Sequence, residues 1–404
     1  MTTPSNPTPN LGPRPLPMHL AVQTLALMSS LAALPLLKNG SPSWSPALND
    51  IANKIAEVPP EAFLKALSTE AARRFETFVE GVQIYQNAPR AERPPEPCTV
   101  WQSGAARLLD YGEAGNPPLL VVPSLINRGY VLDLSEKRSL MRYLADQGFR
   151  PLLLDWGTPG AEERAYDLDA YITGPLQQAF DFVATTSKTK PALVGYCMGG
   201  TLALALAARN LDQVSALVLL ATPWDFQAGQ EAYLPVLAAM LPGLEVMIET
   251  LGVLPVDVLQ AIFAGLNPMG VGMKFRALSE MPASSAKAQA FLQLEDWLND
   301  GVPLAGPVAR QCLSEWYLQN KPAEGEWQVA GTRVDPARID CPTLVVVPEA
   351  DYIVPPEGAK PLAKLIPDAK LKTVKAGHIG MVAGGGARAK LYTPLSKWLN
   401  GALN

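Results

Sequence analysis

The sequence GYCMGG at residues 195–200 constrains the fold of this chain more than any other segment. It follows a short apolar run, ALV at 192–194, which is typical of a buried strand, and precedes TLALALAA at 201–208, which is typical of a buried helix. A strand that turns sharply into a helix needs small residues on both sides of the turn, and Gly195 and Gly199 supply them. The pattern therefore predicts a strand, a tight turn and a helix, with Cys197 at the turn.

Cys197 occupies the place that a nucleophile takes in such a turn, in a GxCxG pattern rather than GxSxG. A thiolate attacks a thioester without an uphill change of bond type, so a cysteine here indicates acyl groups that arrive as thioesters. The simpler interpretation is that a buried cysteine is an inert small hydrophobe. The residues that accompany Cys197 decide between the two.

A general base is available in one of the two histidines, His19 and His378. His378 lies in GHIG, shortly after the strand-like KLKTV at 370–374, and its flanking glycines predict a loop at a strand end. A catalytic base is expected in such a loop. The alternative role is structural, in which His378 caps a helix or binds a backbone carbonyl.

An acid is available in Asp351, which follows the buried-strand pattern TLVVV at 343–347. Asp351 could instead only fix a turn before Pro355. The chain order Cys197, Asp351, His378 is nucleophile, acid, base, which is the order of the α/β-hydrolases. Taken together, the turn, the order and the three preceding strands predict a catalytic triad.

These residues resemble the polyhydroxyalkanoate synthases, whose motif is GxCxGG and whose triad is Cys, Asp and His. The resemblance extends from about residue 117 to 400. The similar segments are LLVVPSLINRGYVLDL at 119–134, LDWGTP at 154–159, DLDAY at 167–171, ATPWDF at 221–226 and GHIG at 377–380. The resemblance implies an α/β-hydrolase fold with a mostly parallel central sheet. The long insertion before the Asp351 strand predicts a helical cap, and amphipathic periodicity predicts an N-terminal helical region.

The resemblance also implies an acyltransferase that polymerises 3-hydroxyacyl-CoA into a polyester and releases coenzyme A. Coenzyme A enters as the substrate thioester, and no cofactor is expected. The implied partners are 3-hydroxyacyl-CoA, a polyester granule surface, and a second copy of the chain or an accessory synthase subunit. By motif geometry the N–H of Met198 is one oxyanion donor, and the second is expected near Leu125 in the loop after Val122.

Two other functions remain open. If water accepts the acyl group, the same site is a cysteine hydrolase acting as an esterase, thioesterase or depolymerase. A granule-associated scaffold that keeps the fold without activity is a third interpretation, and the intact triad argues against it.

The chain divides by composition into five segments. A proline-rich tail at 1–17 is expected to be disordered or extended, and 18–92 to form an N-terminal helical region. Residues 93–225 and 341–404 form the two parts of the hydrolase core, and 226–340 form a helical cap. Four methionines of the cap could line an acyl tunnel or pack flexibly in a core: Met240, Met247, Met269 and Met273.

Charge and cysteine usage narrow the function classes. The net charge of −5 gives no support for nucleic-acid binding. The four cysteines show no CxxC spacing, which argues against a metal site and favours reduced thiols in the cytoplasm.

The apolar segment Met18–Leu37 leaves localisation open. It is long enough to span a bilayer, but only Arg14 gives positive charge before it and no clean cleavage site follows. It is a signal or membrane span, a helix packed on the core, or a helix that touches a lipid or polymer surface. A cytoplasmic protein that can associate with such a surface is the expectation.

Overall fold

Residues 12–32 and 49–403 are described by the structure, which is a computed structural model. The chain forms two units: unit 1 holds Met1–Ala91 and Gln260–Asn299, and unit 2 holds Glu92–Leu259 and Asp300–Asn404. Most of the predicted tail, residues 1–11, lies outside the described residues. Within that tail the first helix already begins at Leu16.

The strands, in chain order, are β1 Cys98–Ser103, β2 Ala106–Asp110, β3 Pro118–Val122, β4 Asp133–Ser135, β5 Arg138–Ser139, β6 Arg150–Asp155, β7 Ala192–Tyr196, β8 Ala216–Leu220, β9 Val253–Leu254, β10 Leu304–Ala305, β11 Gln328–Val329, β12 Thr332–Arg333, β13 Thr343–Pro348 and β14 Lys370–Val374.

The helices, in chain order, are α1 Leu16–Ala32, α2 Asn49–Glu57, α3 Pro60–Asn87, α4 Leu140–Asp146, α5 Leu168–Tyr171, α6 Gln177–Thr186, α7 Met198–Arg209, α8 Leu234–Leu251, α9 Val256–Gly265, α10 Gly270–Ser279, α11 Ala286–Asn299, α12 Gly306–Arg310, α13 Lys321–Glu324, α14 Pro356–Ala359, α15 Leu362–Leu365, α16 His378–Ala383 and α17 Thr393–Leu403. Within residues 12–32 and 49–403, π-helical segments occur at Ile172–Leu176, Gln311–Leu318 and Arg388–Tyr392.

Unit 2 is built on an eight-stranded sheet with the order β1-β2-β6-β3-β7-β8-β13-β14. The β1–β2 and β2–β6 pairs are antiparallel, and the pairs from β6 to β14 are parallel. Strands β3, β7 and β8 are buried along their whole length, as expected for parallel strands covered on both faces. In such a sheet, functional residues follow the carboxyl ends of the strands, and here β7, β13 and β14 end at the same edge.

Unit 1 has a core of its own, made by α3, α10 and α11. Phe275 of α10 lies edge-on to Phe78 and Tyr85 of α3, with ring centroids 6.1 and 5.8 Å apart. Gly81 makes this packing possible, because a Cβ at that position would lie 2.0 Å from the carbonyl oxygen of Phe275. Residues 260–299 therefore belong with the N-terminal helices.

The division into units differs from the predicted segments. The predicted cap at 226–340 is split, because only 226–259 and 300–340 fall in unit 2. The four cap methionines are split in the same way, with Met269 and Met273 in unit 1. The interpretation that these methionines pack in a core is wrong for three of them, because Met240, Met269 and Met273 are 38%, 41% and 53% exposed.

Among the described residues, α8 is long and apolar enough to cross a membrane, and the bent pair α9 and α10 meets the same criterion jointly. The mean hydropathy of α8 is 1.6, and only 17% of it is buried. In the predicted apolar segment Met18–Leu37, the described part lies within α1, and residues 33–37 lie outside the described residues.

Candidate active site

Cys197 stands alone between β7 and α7 in a conformation that L-residues rarely adopt, with φ 56° and ψ −132°. Its N–H donates to the carbonyl of Leu220 at the end of β8, at 2.8 Å. Strain of this kind persists only where the surrounding structure fixes it, and it clusters at functional sites. The predicted strand, turn and helix are therefore present, with Cys197 at the turn.

Glycines allow α7 to approach the sheet closely enough to hold this turn. A Cβ at Gly199 would lie 2.2 Å from the carbonyl oxygen of Val122 and 2.4 Å from that of Pro123. A Cβ at Gly200 would lie 1.9 Å from Oγ1 of Thr222. The first turn of α7 thus packs directly on the backbone at the end of β3.

Asp351 and His378 form a buried pair at the ends of β13 and β14. Oδ2 of Asp351 lies 2.7 Å from Nδ1 of His378, and both side chains are less than a tenth exposed. Oδ1 of Asp351 accepts from the N–H groups of Ile353 and Val354, each at 2.9 Å. These two bonds fix the carboxylate, so that it in turn fixes the imidazole.

Cys197 interacts electrostatically with this pair and shifts the pKa of His378. Burial alone would lower the pKa of His378, but the interactions with Cys197 and with Asp351 outweigh it and raise the pKa to about 10. An imidazole in this environment holds a proton strongly beside a sulfur atom. The arrangement therefore has the chemical capacity for a thiolate beside an imidazolium.

The structure corrects the predicted setting of His378. It is the first residue of α16 rather than a loop residue, and it is buried, with 8% exposure. The GHIG sequence supplies a helix start, in which Gly377 is the N-cap. The other histidine, His19, belongs to unit 1, where Nε2 lies 3.1 Å from the carbonyl oxygen of Arg14.

The two expected oxyanion donors lie on the elements named for them. Met198 is the first residue of α7, where an N–H has no acceptor within the helix. Leu125 is buried in the loop that follows β3. In the described part of the chain neither N–H has a hydrogen-bond acceptor, whereas the adjacent Ile126 N–H is held by Oγ of Ser124 at 3.0 Å.

Two tyrosines that the sequence analysis did not predict, Tyr196 and Tyr317, lie next to the site. The ring of Tyr196 lies 5.2 Å from that of His378, and its hydroxyl donates to the His378 carbonyl at 3.4 Å. Burial, and then the proximity of Cys197, raise the pKa of Tyr317. Tyr196 could have been found as the residue before the nucleophile, but Tyr317 comes from a distant π-helical segment with no motif.

The remaining cysteines sit in different environments. Cys98 is exposed, and Cys312 is buried, which raises the pKa of its thiol. Burial raises the pKa of Cys341 to about 11. Only Cys197 lies at a helix N-terminus next to a histidine. Among the described residues, no group of three His, Cys, Asp or Glu side chains could hold a metal ion.

Comparison with known proteins shows the family to which this chain belongs. The α/β-hydrolase fold family matches residues 117–384, which include all three residues of the site. A poly(3-hydroxyalkanoate) polymerase subunit PhaC from Allochromatium vinosum is 32% identical over 294 residues, covering 71% of this chain and 82% of that protein. The chain belongs to the PhaC family. The predicted family, the fold class and an enzyme of the synthase type are confirmed.

Other relatives differ in how much of them the chain covers. The PhaC subunit from Haloferax mediterranei is 32% identical over 315 residues, and the chain spans 62% of its length. Among solved structures, a thermophilic esterase from Thermogutta terrifontis has a TM-score of 0.45 and 18% identity, over 78% of this chain and 100% of that chain.

Proposed function

We propose that this PhaC-family chain transfers 3-hydroxyacyl groups from coenzyme A to the hydroxyl end of a growing polyester. Cys197 is the nucleophile, His378 the general base and acid, and Asp351 the residue that orients His378. Coenzyme A takes part as the substrate thioester, and the proposed chemistry uses no other cofactor. The observation that carries the proposal is a cysteine at a turn where hydrolases place serine.

In the first half of the reaction, His378 takes the proton of Cys197 through Nε2. The thiolate attacks the thioester carbonyl and forms a tetrahedral oxyanion, which accepts hydrogen bonds from the N–H groups of Met198 and Leu125. The C–S bond to coenzyme A then breaks, and His378 returns the proton to the leaving thiolate. Asp351 stabilises the imidazolium that exists between these steps.

In the second half, His378 takes the proton of a hydroxyl group as its oxygen attacks the Cys197 thioester. The C–S bond to Cys197 breaks, a new ester forms, and the proton restores the thiol. The first transfer exchanges one thioester for another, and the second moves downhill from thioester to ester. Serine at position 197 would place the intermediate at the ester level and remove the driving force for the second transfer.

The competing function is hydrolysis, in which water replaces the hydroxyl. To separate the two, the purified protein is incubated with 3-hydroxybutyryl-CoA while free thiol, free acid and insoluble polyester are followed together. Synthase activity releases thiol in step with polyester. Thiol released in step with free 3-hydroxybutyrate would instead establish a thioesterase, and Cys197→Ala provides the background rate.

We also propose that α8 is the part of unit 2 that touches the polyester surface. Four of its apolar residues are between 38% and 64% exposed: Val236, Met240, Val246 and Leu251. Of its two acidic residues, Glu245 is paired with Arg310 at 2.7 Å. An exposed helix of this composition is costly in water and favours an apolar surface.

The proposal extends to partners and compartment. Relatives in the family are named as polymerase subunits, so a second copy of this chain or an accessory subunit is proposed as a partner. Free cysteines at all four positions are consistent with a reducing cytoplasm. Light scattering of the purified chain, alone and with substrate, tests self-association.

A further inference from the structure

Unit 1 contains a cavity of about 190 Å³ between α1, α3 and α10. Its wall is mainly apolar, formed by residues that include Leu27, Leu67, Phe75 and Met269. An apolar cavity of 150 Å³ is large enough to hold benzene, so this one has room for about six to eight carbon atoms. Its lining belongs to unit 1, whereas the residues of the proposed reaction belong to unit 2.

The polar part of the wall is cationic. Arg74 and Arg276 line the cavity together with Glu70. Glu70 is already engaged by two guanidinium groups, at 2.8 Å from Nε of Arg73 and 2.7 Å from Nε of Arg74. The charged residues that line the cavity are two guanidinium groups and one carboxylate, which leaves a net charge of +1 on its wall.

No carboxylate in the described part of the chain lies within ion-pair distance of Arg276, and Glu70 and Glu280 act on it only from farther away. Its Nη1 donates to Oε1 of Gln23 at 3.1 Å, which is a neutral amide. Burial, followed by the charges of Arg74 and Arg73, lowers the pKa of Arg276. A half-buried cation among like charges is destabilising unless an anion compensates it.

The position of Gln23 shows that this arrangement is fixed. Gln23 is 8% exposed and lines the cavity, with its amide against α10. A Cβ at Gly272 would lie 2.4 Å from Oε1 of Gln23, so the side chain fits only because position 272 is glycine. The amide thus holds Arg276 at the wall of the cavity.

We propose that this cavity binds an aliphatic carboxylate of about six to eight carbons, with its chain among the apolar residues and its carboxylate on Arg276. The bound carboxylate would supply the ion-pair partner that Arg276 lacks, and the Gln23 amide would stand beside it. The site would let unit 1 respond to free medium-chain acids independently of turnover in unit 2.

The test is calorimetric titration of the full chain with octanoate. We expect saturable one-to-one binding, which Arg276→Gln weakens at least tenfold because a charge-assisted hydrogen bond is lost. Arg276→Lys should restore most of the affinity by keeping the charge, and Ala71→Trp should abolish binding by filling the cavity. Arg73→Gln is the matched control, since Arg73 belongs to the same cluster without lining the cavity, and it should change affinity less than threefold.

Two further ligands and a folding control accompany the octanoate titration. Butyrate should bind at least tenfold more weakly than octanoate, because it fills less of the cavity, and 1-octanol should bind weakly because it carries no charge. Far-UV circular dichroism and melting of each variant establish that it is folded. Absence of saturable octanoate binding, equal binding by Arg276→Gln, or equal binding of 1-octanol would each overturn the proposal.

Discussion

At the scale of single residues, the proposed chemistry depends on the transfer of a proton between Cys197 and His378. The pKa of His378 is raised to about 10, whereas a histidine in an unfolded chain titrates near 6.5. The interactions that raise this pKa stabilise the fold fully below pH 6.5, and their contribution is lost as the pH rises through about 10. Across the neutral range His378 is therefore able to hold the proton that Cys197 gives up.

We predict that replacing His378 by Gln slows alkylation of Cys197 by iodoacetamide at pH 7 by at least tenfold. The two rates should converge as the pH rises past about 8.5, where an ordinary thiol ionises without a base. Peptide mapping measures labelling at position 197. His19→Gln is the control and should behave as wild type, and identical pH profiles for wild type and His378→Gln would refute the ion pair.

The sequence was sufficient to predict the three proposed triad residues, because each follows its own strand in a fixed order along the chain. It was insufficient for the burial of His378, since GHIG is compatible with a loop and with a helix start. The sequence did not predict the position of Tyr317 near the site, for a different reason. Its place near Cys197 results from tertiary packing of a segment about 120 residues away.

At the scale of elements, the turn at Cys197 depends on the contact between α7 and the end of β3. We predict that Gly199→Ala lowers the free energy of unfolding by about 1–3 kcal/mol, because its methyl group overlaps two backbone carbonyl oxygens that no side-chain rotation can relieve. Activity should fall at least a hundredfold, since the nucleophile is displaced. Chemical denaturation and turnover assays measure the two effects.

Gly243 in α8 offers a matched control. A Cβ there meets nothing within 4 Å, so Gly243→Ala should stabilise the helix by up to about 1 kcal/mol and leave turnover unchanged. If the two alanine variants behave alike, close packing of α7 on β3 is not what holds the turn.

Element boundaries show where sequence patterns reach their limit. The buried strands β3, β7, β8 and β13 are continuous apolar runs, so a sequence pattern predicts them. The insertion between β8 and β13 was expected to form one cap. It is divided because Phe275 packs with Phe78 and Tyr85, almost 200 residues earlier, and a local pattern does not encode that choice of partner.

At the scale of the whole molecule, attachment to an apolar surface is proposed to depend on α8. We predict that Val236→Lys combined with Val246→Lys lowers pelleting with polyester particles about tenfold or more. Each of these half-exposed valines would otherwise contribute about 1 kcal/mol of binding free energy by burying its side chain on the polyester. Turnover of soluble 3-hydroxybutyryl-CoA should stay within twofold.

The control pair lies on α1, where Leu25 and Met28 are 66% and 59% exposed. Leu25→Lys combined with Met28→Lys should leave pelleting largely unchanged. Loss of pelleting in the α1 pair alone would assign attachment to the N-terminal apolar segment instead, and equal pelleting of all variants would exclude both helices.

The central claim is that Cys197 carries the acyl group between coenzyme A and the acceptor. The most direct measurement is rapid acid quenching of the protein mixed with 3-hydroxybutyryl-CoA, followed by mass spectrometry of the intact chain and its peptides. We predict a hydroxybutyryl adduct on the peptide containing Cys197, retained in Cys98→Ala, Cys312→Ala and Cys341→Ala and absent from Cys197→Ala. An adduct on another residue, or coenzyme A release undiminished in Cys197→Ala, would contradict the account.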